Sequence, residues 1–129
     1  YKGKDCVFDA FCWHYDDTEF LPTNSKILAS NNKSEVQSVS FDINDSSVWA
    51  VQYHPEFDPS WIAGLMQQRE DILLKEGAFS KKKYFDEELN FFSNYKNIDE
   101  KDNHKKYSDL INIGKHTLEL SNWISNLKN

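Results

Sequence analysis

The sequence predicts a fold that contains both strands and helices, with strands between residues 5 and 53 and helices from residue 58 onward. Three observations support this prediction. The first half of the chain is rich in β-branched and aromatic residues, and Val39–Ile43 alternates apolar and polar residues with a period of two. After residue 58 the apolar residues recur at helical spacing. Strands that precede helices, rather than alternating with them, are by themselves typical of an α+β fold.

Length and composition indicate one domain over residues 1–129, strand-rich over 1–57 and helical over 58–129. The chain is 39% hydrophobic and 15% aromatic, which is enough to bury a core. Its net charge of −6 and the lack of a basic stripe argue against a nucleic-acid partner. There is no apolar run approaching eighteen residues and no signal-peptide pattern, so we expect no membrane partner and a cytoplasmic location. The chain begins with tyrosine rather than methionine, so it could be part of a longer protein.

The strands are predicted from three segments. Residues 6–14, "CVFDAFCWH", are apolar and aromatic, and residues 26–32, "KILASNN", form a short apolar run closed by two asparagines. Residues 36–53 have the pattern of a β-hairpin, with a four-residue turn at "NDSS", residues 44–47. The second strand of this hairpin, "VWAVQY", is expected to be more buried than the first.

The two cysteines, Cys6 and Cys12, lie in the first of these segments. Two cysteines do not form a disulfide framework or a zinc site, and neither of these has a glycine as a neighbour. Free cysteines are among the residues most often buried. We therefore expect both thiols to be buried and unreactive.

The first helix is predicted from signals at both of its ends. Asp58 can cap the helix and Pro59 can occupy its first position, while Gly77 suits the position just after its end. Between these ends, five apolar residues mark one helical face: Ile62, Leu65, Met66, Ile72 and Leu73.

Two further helices are predicted from apolar spacing. Residues 84–95 place Phe85, Leu89 and Phe92 at i, i+4 and i+7. The last helix has an apolar face formed by Leu120, Trp123, Ile124 and Leu127. Between these two helices, the mixed charges of "KNIDEKDNHKK", residues 96–106, predict a solvated connection.

The stretch "WAVQYHPEFD", residues 49–58, contains the strongest chemical signal. Pro55 restricts His54 to an extended backbone, in which residues i and i+2 project to the same side. The carboxylate of Glu56 could then orient the imidazole of His54, which would act as a general base. Position after a strand and before a helix also favours a site. A motif of two residues does not exclude an ordinary strand-end histidine and a solvated carboxylate.

A metal site is an alternative use of these residues. The "HYDD" segment, residues 14–17, could join His54 and Glu56 as a shell of two histidines and several carboxylates. No single helix presents ligands at i and i+4, so only convergence in space could assemble such a set. We therefore predict no metal and no cofactor.

The segments "FCWHYDDTEFLP", "KILASNNKSEVQSVSF" and "WAVQYHPEF" resemble, in order and spacing, the class I glutamine amidotransferases. In that family a histidine-containing segment, a Leu-Pro pair, a "LAS" strand and a final Q-[FY]-H-P-E follow one another. The match spans residues 8–58. The helix after H-P-E, "LLKEG" and "LELSNWI" are similar to the stand-alone, GMP-synthase-like members. The resemblance identifies the C-terminal portion of such a domain.

The resemblance implies a flavodoxin-like α/β fold and a Cys-His-Glu triad that hydrolyses the side-chain amide of L-glutamine. His54 matches the triad histidine and Glu56 the glutamate that orients it. Residues His14, Tyr15 and Asp16 match the loop that helps to hold the glutamine, largely through backbone groups. Ammonia is normally passed to a synthetase domain or subunit, whose identity this chain does not reveal. The order of strands before helices is then expected for the end of an open α/β sheet, rather than for α+β.

The sequence departs from the family at the nucleophile. The family's cysteine lies in a G-x-C-x-G turn upstream of H-P-E, and no such segment occurs here. We therefore expect the nucleophile on an upstream segment outside these residues, and this chain alone to be inactive. Two other functions remain open: a γ-glutamyl hydrolase on the same scaffold, and a non-catalytic amidotransferase-like binding module. An intact upstream G-x-C-x-G would favour an enzyme, and a substituted cysteine would favour the module.

Overall fold

The computed structural model describes residues 1–97 and 107–127, and these contain a three-stranded antiparallel sheet and six α-helices. The strands are β1 (Lys26–Ala29), β2 (Ser38–Ile43) and β3 (Ser46–Val51). The helices are α1 (Pro59–Gln68), α2 (Glu70–Lys75), α3 (Lys82–Asn94), α4 (Ser108–Ile111), α5 (Ile113–His116) and α6 (Leu118–Asn126). This content is compatible with an α/β fold.

The chain divides into two compact units, each described by itself. Residues Ala10–His54 form the sheet unit, and residues Tyr1–Asp9 together with Pro55–Asn129 form the helical unit. Within the described residues all strands lie between 26 and 51, so the predicted strand range of 5–53 was too wide at its N-terminal end. The helices all begin at Pro59 or later, as predicted.

The predicted hairpin is confirmed, with a shorter turn than expected. Strands β2 and β3 pair in the sheet order β1-β2-β3, and Ile43 pairs with Ser46 across a two-residue connection. Asn44 has a φ of 52°, in the left-handed region that a short polar side chain tolerates. Ser46 and Ser47 therefore belong to β3, and the predicted turn at residues 44–47 is reduced to residues 44 and 45.

The expectation that the second hairpin strand is the more buried one is wrong. Burial in β2 falls steadily from Ser38, which is fully buried, to Ile43, which is 55% exposed. The residues of β3 are exposed or half-buried. The predicted alternation of buried and exposed residues along β2 is also not observed. Solvent exposure increases along the strand instead, because the hairpin end around residues 43–47 is exposed on both strands.

Residues 6–14, predicted as a strand, form no regular strand. Their one ladder contact in the structure described is an isolated antiparallel bridge between Cys12 and Tyr53. Cys6 and Cys12 are both exposed as whole residues, so the prediction that they are buried was wrong. Among the apolar residues of this segment only Phe11 is buried, at 6% exposure.

The predicted start of the first helix is confirmed. Asp58 has an extended backbone, its carboxylate accepts from the backbone N–H of Ser60 at 2.8 Å, and Pro59 opens α1. Asp58 also accepts a hydrogen bond from Tyr95 at 2.7 Å. Burial alone would raise the pKa of Asp58, but the hydrogen bonds from Ser60 and Tyr95 outweigh it and lower that pKa. Burial and the bond to Asp58 raise the pKa of Tyr95 to about 12.

The predicted helix end is also confirmed, although the helix is interrupted. Arg69 is non-helical (φ −119°, ψ 17°) and separates α1 from α2. After α2, Gly77 has a φ of 76°, and its N–H donates to the carbonyl of Leu74. The N–H of Ala78 donates to the carbonyl of Leu73, which completes the paired bonds of a Schellman cap.

The core of the helical unit lies between α1 and α3, which pack against each other. Helix α1 contributes Ile62, Ala63 and Met66, and α3 contributes Phe85 and Phe92, all of them buried. The predicted helix at residues 84–95 is thus confirmed, with its apolar face inward.

The last helix is confirmed as α6, but its apolar face is not buried as a core face would be. Trp123, Ile124 and Leu127 are 47%, 48% and 66% exposed, whereas Glu119 is buried. In the predicted connection at 96–106, Lys96 and Asn97 are exposed at the end of a 3₁₀ turn (Tyr95–Asn97), and residues 98–106 lie outside those described. None of the helices within 1–97 and 107–127 is both long and apolar enough to cross a bilayer.

Candidate functional site

His54 lies three residues after the end of β3, in the short segment that leads to α1. Its backbone N–H donates to the carbonyl of Phe11 at 2.7 Å, and the preceding Tyr53 bridges Cys12. The residue is half-buried and lies outside any helix. The segment that carries His54 is therefore fixed by main-chain contacts to residues 11 and 12, just before the predicted substrate loop.

Gln52 connects the same segment to the far end of that loop. Its side-chain amide donates to the backbone carbonyl of Asp16 at 3.3 Å, and its carbonyl oxygen accepts from the hydroxyl of Ser34 at 3.5 Å. The two groups of the amide thus have separate partners. Within the sheet unit, the structure therefore brings the predicted loop residue Asp16 to the chain segment that contains His54.

Gln37 connects to the beginning of the loop. Its side chain is buried, at 4% exposure, and its amide nitrogen lies 3.2 Å from Nε2 of His14. Its carbonyl oxygen accepts from the thiol of Cys12 at 3.6 Å. Two glutamines on neighbouring chain segments thus hold the two ends of residues 12–16.

The hydrogen bonds assign one tautomer to His14. Nδ1 of His14 lies 3.0 Å from the backbone carbonyl of Asp16, which can only accept, so Nδ1 carries the proton. Nε2 of the neutral ring then accepts from the amide N–H of Gln37. The assignment follows from the partners rather than from hydrogen positions.

The predicted loop residues take different parts in this arrangement. The carbonyl of Asp16 has two donors, from His14 and Gln52, so both of its lone pairs are used. The side chains of Tyr15 and Asp16 are exposed, Tyr15 at 79%. Groups that could meet a ligand are therefore the outward side chains rather than the Asp16 carbonyl, and the binding role of all three residues remains a prediction.

Cys12 lies beside this network but has the wrong electrostatics for a nucleophile. Although the residue is exposed overall, burial of its thiol raises the pKa of Cys12, and the thiol proton is engaged by Gln37. A reactive cysteine needs the opposite, a stabilised thiolate. The thiol of Cys12 is therefore protonated at neutral pH.

The predicted pair of His54 and Glu56 is divided between the two units. His54 ends the sheet unit, and Pro55 and Glu56 form a turn in the helical unit. Because the chain turns there, the alternation of an extended segment does not apply to this pair. Their action as base and orienter remains a prediction.

Sequence reasoning missed both glutamines. Gln52 could have been found, because it lies two residues before His54 within the Q-Y-H-P-E motif. Gln37 carries no comparable signal in the sequence and is recognised only through its burial and its partners. No group of three or more potential metal ligands occurs in the part of the chain that the structure describes.

A small cavity of about 50 Å³ lies in the helical unit and is lined by none of the predicted site residues. Its charged residues are Lys4, Asp5, Asp109 and Lys115. Lys4 bonds Glu119, and Lys115 bonds Asp109. Three of these four charged side chains are therefore engaged in ion pairs within the helical unit.

Comparison with curated proteins gives one relative, a "Gamma-glutamyl-L-1-hydroxyisopropylamide hydrolase" from Pseudomonas sp. The alignment is 27% identical over 131 positions and covers 98% of this chain but 44% of the relative. The chain thus spans less than half of the length of the relative that it matches. No protein-family model matches the chain. No solved structure matches it either. The chain is therefore similar, at low identity, to a hydrolase.

Proposed function

We propose that this chain is the C-terminal part of an enzyme that hydrolyses an amide at the γ-carboxyl group of glutamate. Glutamine is the simplest such substrate, and a γ-glutamyl alkylamide, the type of compound in the relative's name, is the alternative. The observation that carries the proposal is a pair of contacts made by the segment that contains His54. Its backbone bonds Phe11, just before the predicted substrate loop, and Gln52 bonds Asp16 at the end of that loop. The order of motifs and the similarity to a hydrolase support it.

The proposed reaction follows the triad chemistry implied by the family resemblance. The imidazole of His54 takes the proton of a cysteine thiol, and the thiolate attacks the γ-amide carbon. His54 then returns that proton to the leaving nitrogen, which departs as ammonia or an amine, and a thioester remains. Water, deprotonated by His54, attacks the thioester, and glutamate and the thiol are released. Glu56 orients the ring and stabilises its protonated form.

The nucleophile is assigned to a segment outside these 129 residues. The chain has no G-x-C-x-G sequence, and the thiol of Cys12 has a raised pKa. The match to less than half of the relative's length leaves room for such a segment in the complete protein. The side chains of Tyr15 and Asp16, which face outward, are the proposed contacts to the glutamyl group.

Substitutions at His54 and Glu56 in the complete protein test this proposal. His54→Ala removes the base, so hydrolysis should fall by about 10²–10⁴-fold or more while the fold is retained. Glu56→Gln keeps the base and removes its orienter, so its loss should be at least about tenfold smaller. Glu35→Gln, at an exposed position of the sheet unit, is the matched control and should be neutral.

The assay should compare two substrates under the same conditions. Ammonia release from glutamine and amine release from a γ-glutamyl alkylamide distinguish an amidotransferase from a γ-glutamyl hydrolase. Near-wild-type rates with both His54→Ala and Glu56→Gln would refute the assigned roles. A folded complete protein that hydrolyses neither compound would favour the non-catalytic binding module.

A further inference from the structure

We propose that Gln37 is a positioning residue that holds the loop at residues 12–16 in one arrangement: its amide donates to Nε2 of His14, while Nδ1–H of the same ring donates to the Asp16 carbonyl. The inference deepens the proposed function, on which its consequence for substrate binding rests. Its structural content, the tautomer of His14, does not depend on that function. Gln37 itself touches none of the reacting groups assigned above.

The backbone of Gln37 is fixed from both sides. Its N–H donates to the carbonyl of Ala29 at the end of β1, and its carbonyl accepts from the N–H of Gln52 at the exit of β3. Both bonds are 2.9 Å long. Gln37 is also buried, at 4% exposure. Its side chain therefore projects from a backbone that is held in place on both sides. A rigid base is what a group needs if it is to position another side chain.

With a neutral His14 ring, the side-chain contacts allow a single hydrogen-bond direction. The thiol of Cys12 donates to Oε1 of Gln37, the amide N–H of Gln37 donates to Nε2 of His14, and Nδ1–H of His14 donates to the Asp16 carbonyl. Reversing the Gln37 amide would place its NH₂ group against the thiol and its oxygen against an unprotonated nitrogen. Two acceptors would then face each other, which leaves a buried polar group unsatisfied.

The network links the loop to the segment that carries His54. Gln37 acts on the first half of the loop through Cys12 and His14, and Gln52 acts on its end through Asp16. The exposed side chain of Tyr15 lies between these anchors. Loss of the Gln37 amide should therefore loosen the outward side chains of the loop without removing any group assigned to the chemistry.

The direct test is nitrogen NMR of the complete protein labelled with ¹⁵N-histidine, with the His14 signals assigned through His14→Gln. We expect the wild-type His14 ring to be the Nδ1–H tautomer. In Gln37→Leu the ring keeps the Asp16 carbonyl as acceptor but loses its donor at Nε2, so the Nδ1–H form should become less populated and the Nε2–H form, which a free imidazole favours, more populated. Gln37→Glu offers acceptors only, so the His14 ring should there be protonated at Nε2 as well. Gln68→Glu, at an exposed residue of α1, is the control and should leave the His14 signals unchanged.

The kinetic arm uses the same variants with the better γ-glutamyl substrate. Gln37→Leu should raise KM by about tenfold, the equivalent of one hydrogen bond, while kcat stays within about twofold. A wild-type His14 in the Nε2–H or the doubly protonated form, or unchanged ring signals in a folded Gln37→Leu protein, would overturn the proposal. If the wild type hydrolyses neither γ-glutamyl compound, the proposed function fails, and the tautomer measurement still decides the role of Gln37.

Discussion

The ammonium group of Lys4 lies 2.6 Å from a carboxylate oxygen of Glu119, and both side chains are almost fully buried, at 5% and 1% exposure. The same ammonium group bonds the second carboxylate oxygen and the Lys115 carbonyl and lies over the ring of Phe8. This ion pair joins the N-terminal residues to α6, more than a hundred positions along the chain. The buried carboxylate of Glu119 in α6 is thus neutralised by Lys4, near the N-terminus of the chain.

Breaking one side of this pair should strongly destabilise the helical unit. Lys4→Met leaves the Glu119 carboxylate buried without its cation, and we expect a loss of about 3–5 kcal/mol in the free energy of unfolding. The double substitution Lys4→Met with Glu119→Leu removes both charges and should recover most of that loss. Urea unfolding of the three proteins measures the difference. If the double variant is no more stable than Lys4→Met, the pair is not what holds these elements together.

The same substitution should have opposite effects at two glycines of the helical unit. Gly77 has a φ of 76°, and Gly64 lies within α1; an added Cβ meets nothing within 4 Å at either position. Gly77→Ala therefore tests backbone strain alone and should cost about 1–2 kcal/mol. Gly64→Ala should stabilise the protein by up to about 1 kcal/mol, because alanine is the better helix former. Equal effects of the two substitutions on urea unfolding would contradict the observed cap.

The parts of the fold that were predicted correctly depend on local chemistry. Asp58 and Pro59 begin α1, and Gly77 ends α2, because capping and positive φ are properties of single residues and their neighbours. The hairpin also follows from a local pattern. Burial depends instead on what covers a segment, so residues Cys6 and Cys12 were wrongly predicted to be buried, and the apolar pattern of α6 did not indicate that Trp123 is half exposed.

The candidate site could be predicted only in part, for a similar physical reason. The H-P-E motif indicated His54, and the family resemblance indicated the loop at residues 14–16. Their connection passes through two amide side chains, Gln37 and Gln52, which bond residues 23 to 36 positions away in the chain. Gln52 is marked by the Q-Y-H-P-E motif, but an amide carries no charge, and nothing in the sequence indicates that Gln37 is buried and engaged.

Stability of the helical unit should decline on mild acidification because of His116. Burial lowers the pKa of His116 below its ordinary value, and the charge of Lys4 acts in the same direction; the carbonyl of Leu110 and the charges of Asp58 and Glu119 oppose them. Nδ1 of the ring is buried without a hydrogen-bond partner in the structure described. The unfolded state therefore binds a proton first, near pH 6.5, and the free energy of unfolding falls as the pH drops further.

His116→Gln should flatten this decline between about pH 6.5 and pH 5 in urea unfolding followed against pH. Asp109→Asn is the matched control. Burial alone would raise the pKa of Asp109, but its bond to Lys115 lowers it, so the contribution of this carboxylate is lost only at more acidic pH. The Asp109 variant should keep the wild-type slope between pH 5 and 6.5. A wild-type slope in His116→Gln would show that His116 does not cause the decline.

The last prediction is that the 129-residue chain alone does not hydrolyse glutamine. It offers two thiols, Cys6 and Cys12, and neither has the flanking glycines of a nucleophile turn. Burial of its thiol raises the pKa of Cys12, and Gln37 accepts its proton in a hydrogen bond, so little thiolate forms at neutral pH. Neither cysteine lies at the N-terminus of a helix, where backbone N–H groups would stabilise a thiolate and an oxyanion.

Ammonia release from glutamine by the purified chain, beside Cys6→Ser and Cys12→Ser, measures this directly. We expect no turnover above the buffer rate in any of the three, because serine at either position replaces a thiol that takes no part in the reaction. Addition of the complete protein to the same assay shows that the conditions support hydrolysis. Turnover by the isolated chain that disappears with one of the two substitutions would place the nucleophile at that cysteine, and the proposed division of the triad would then be wrong.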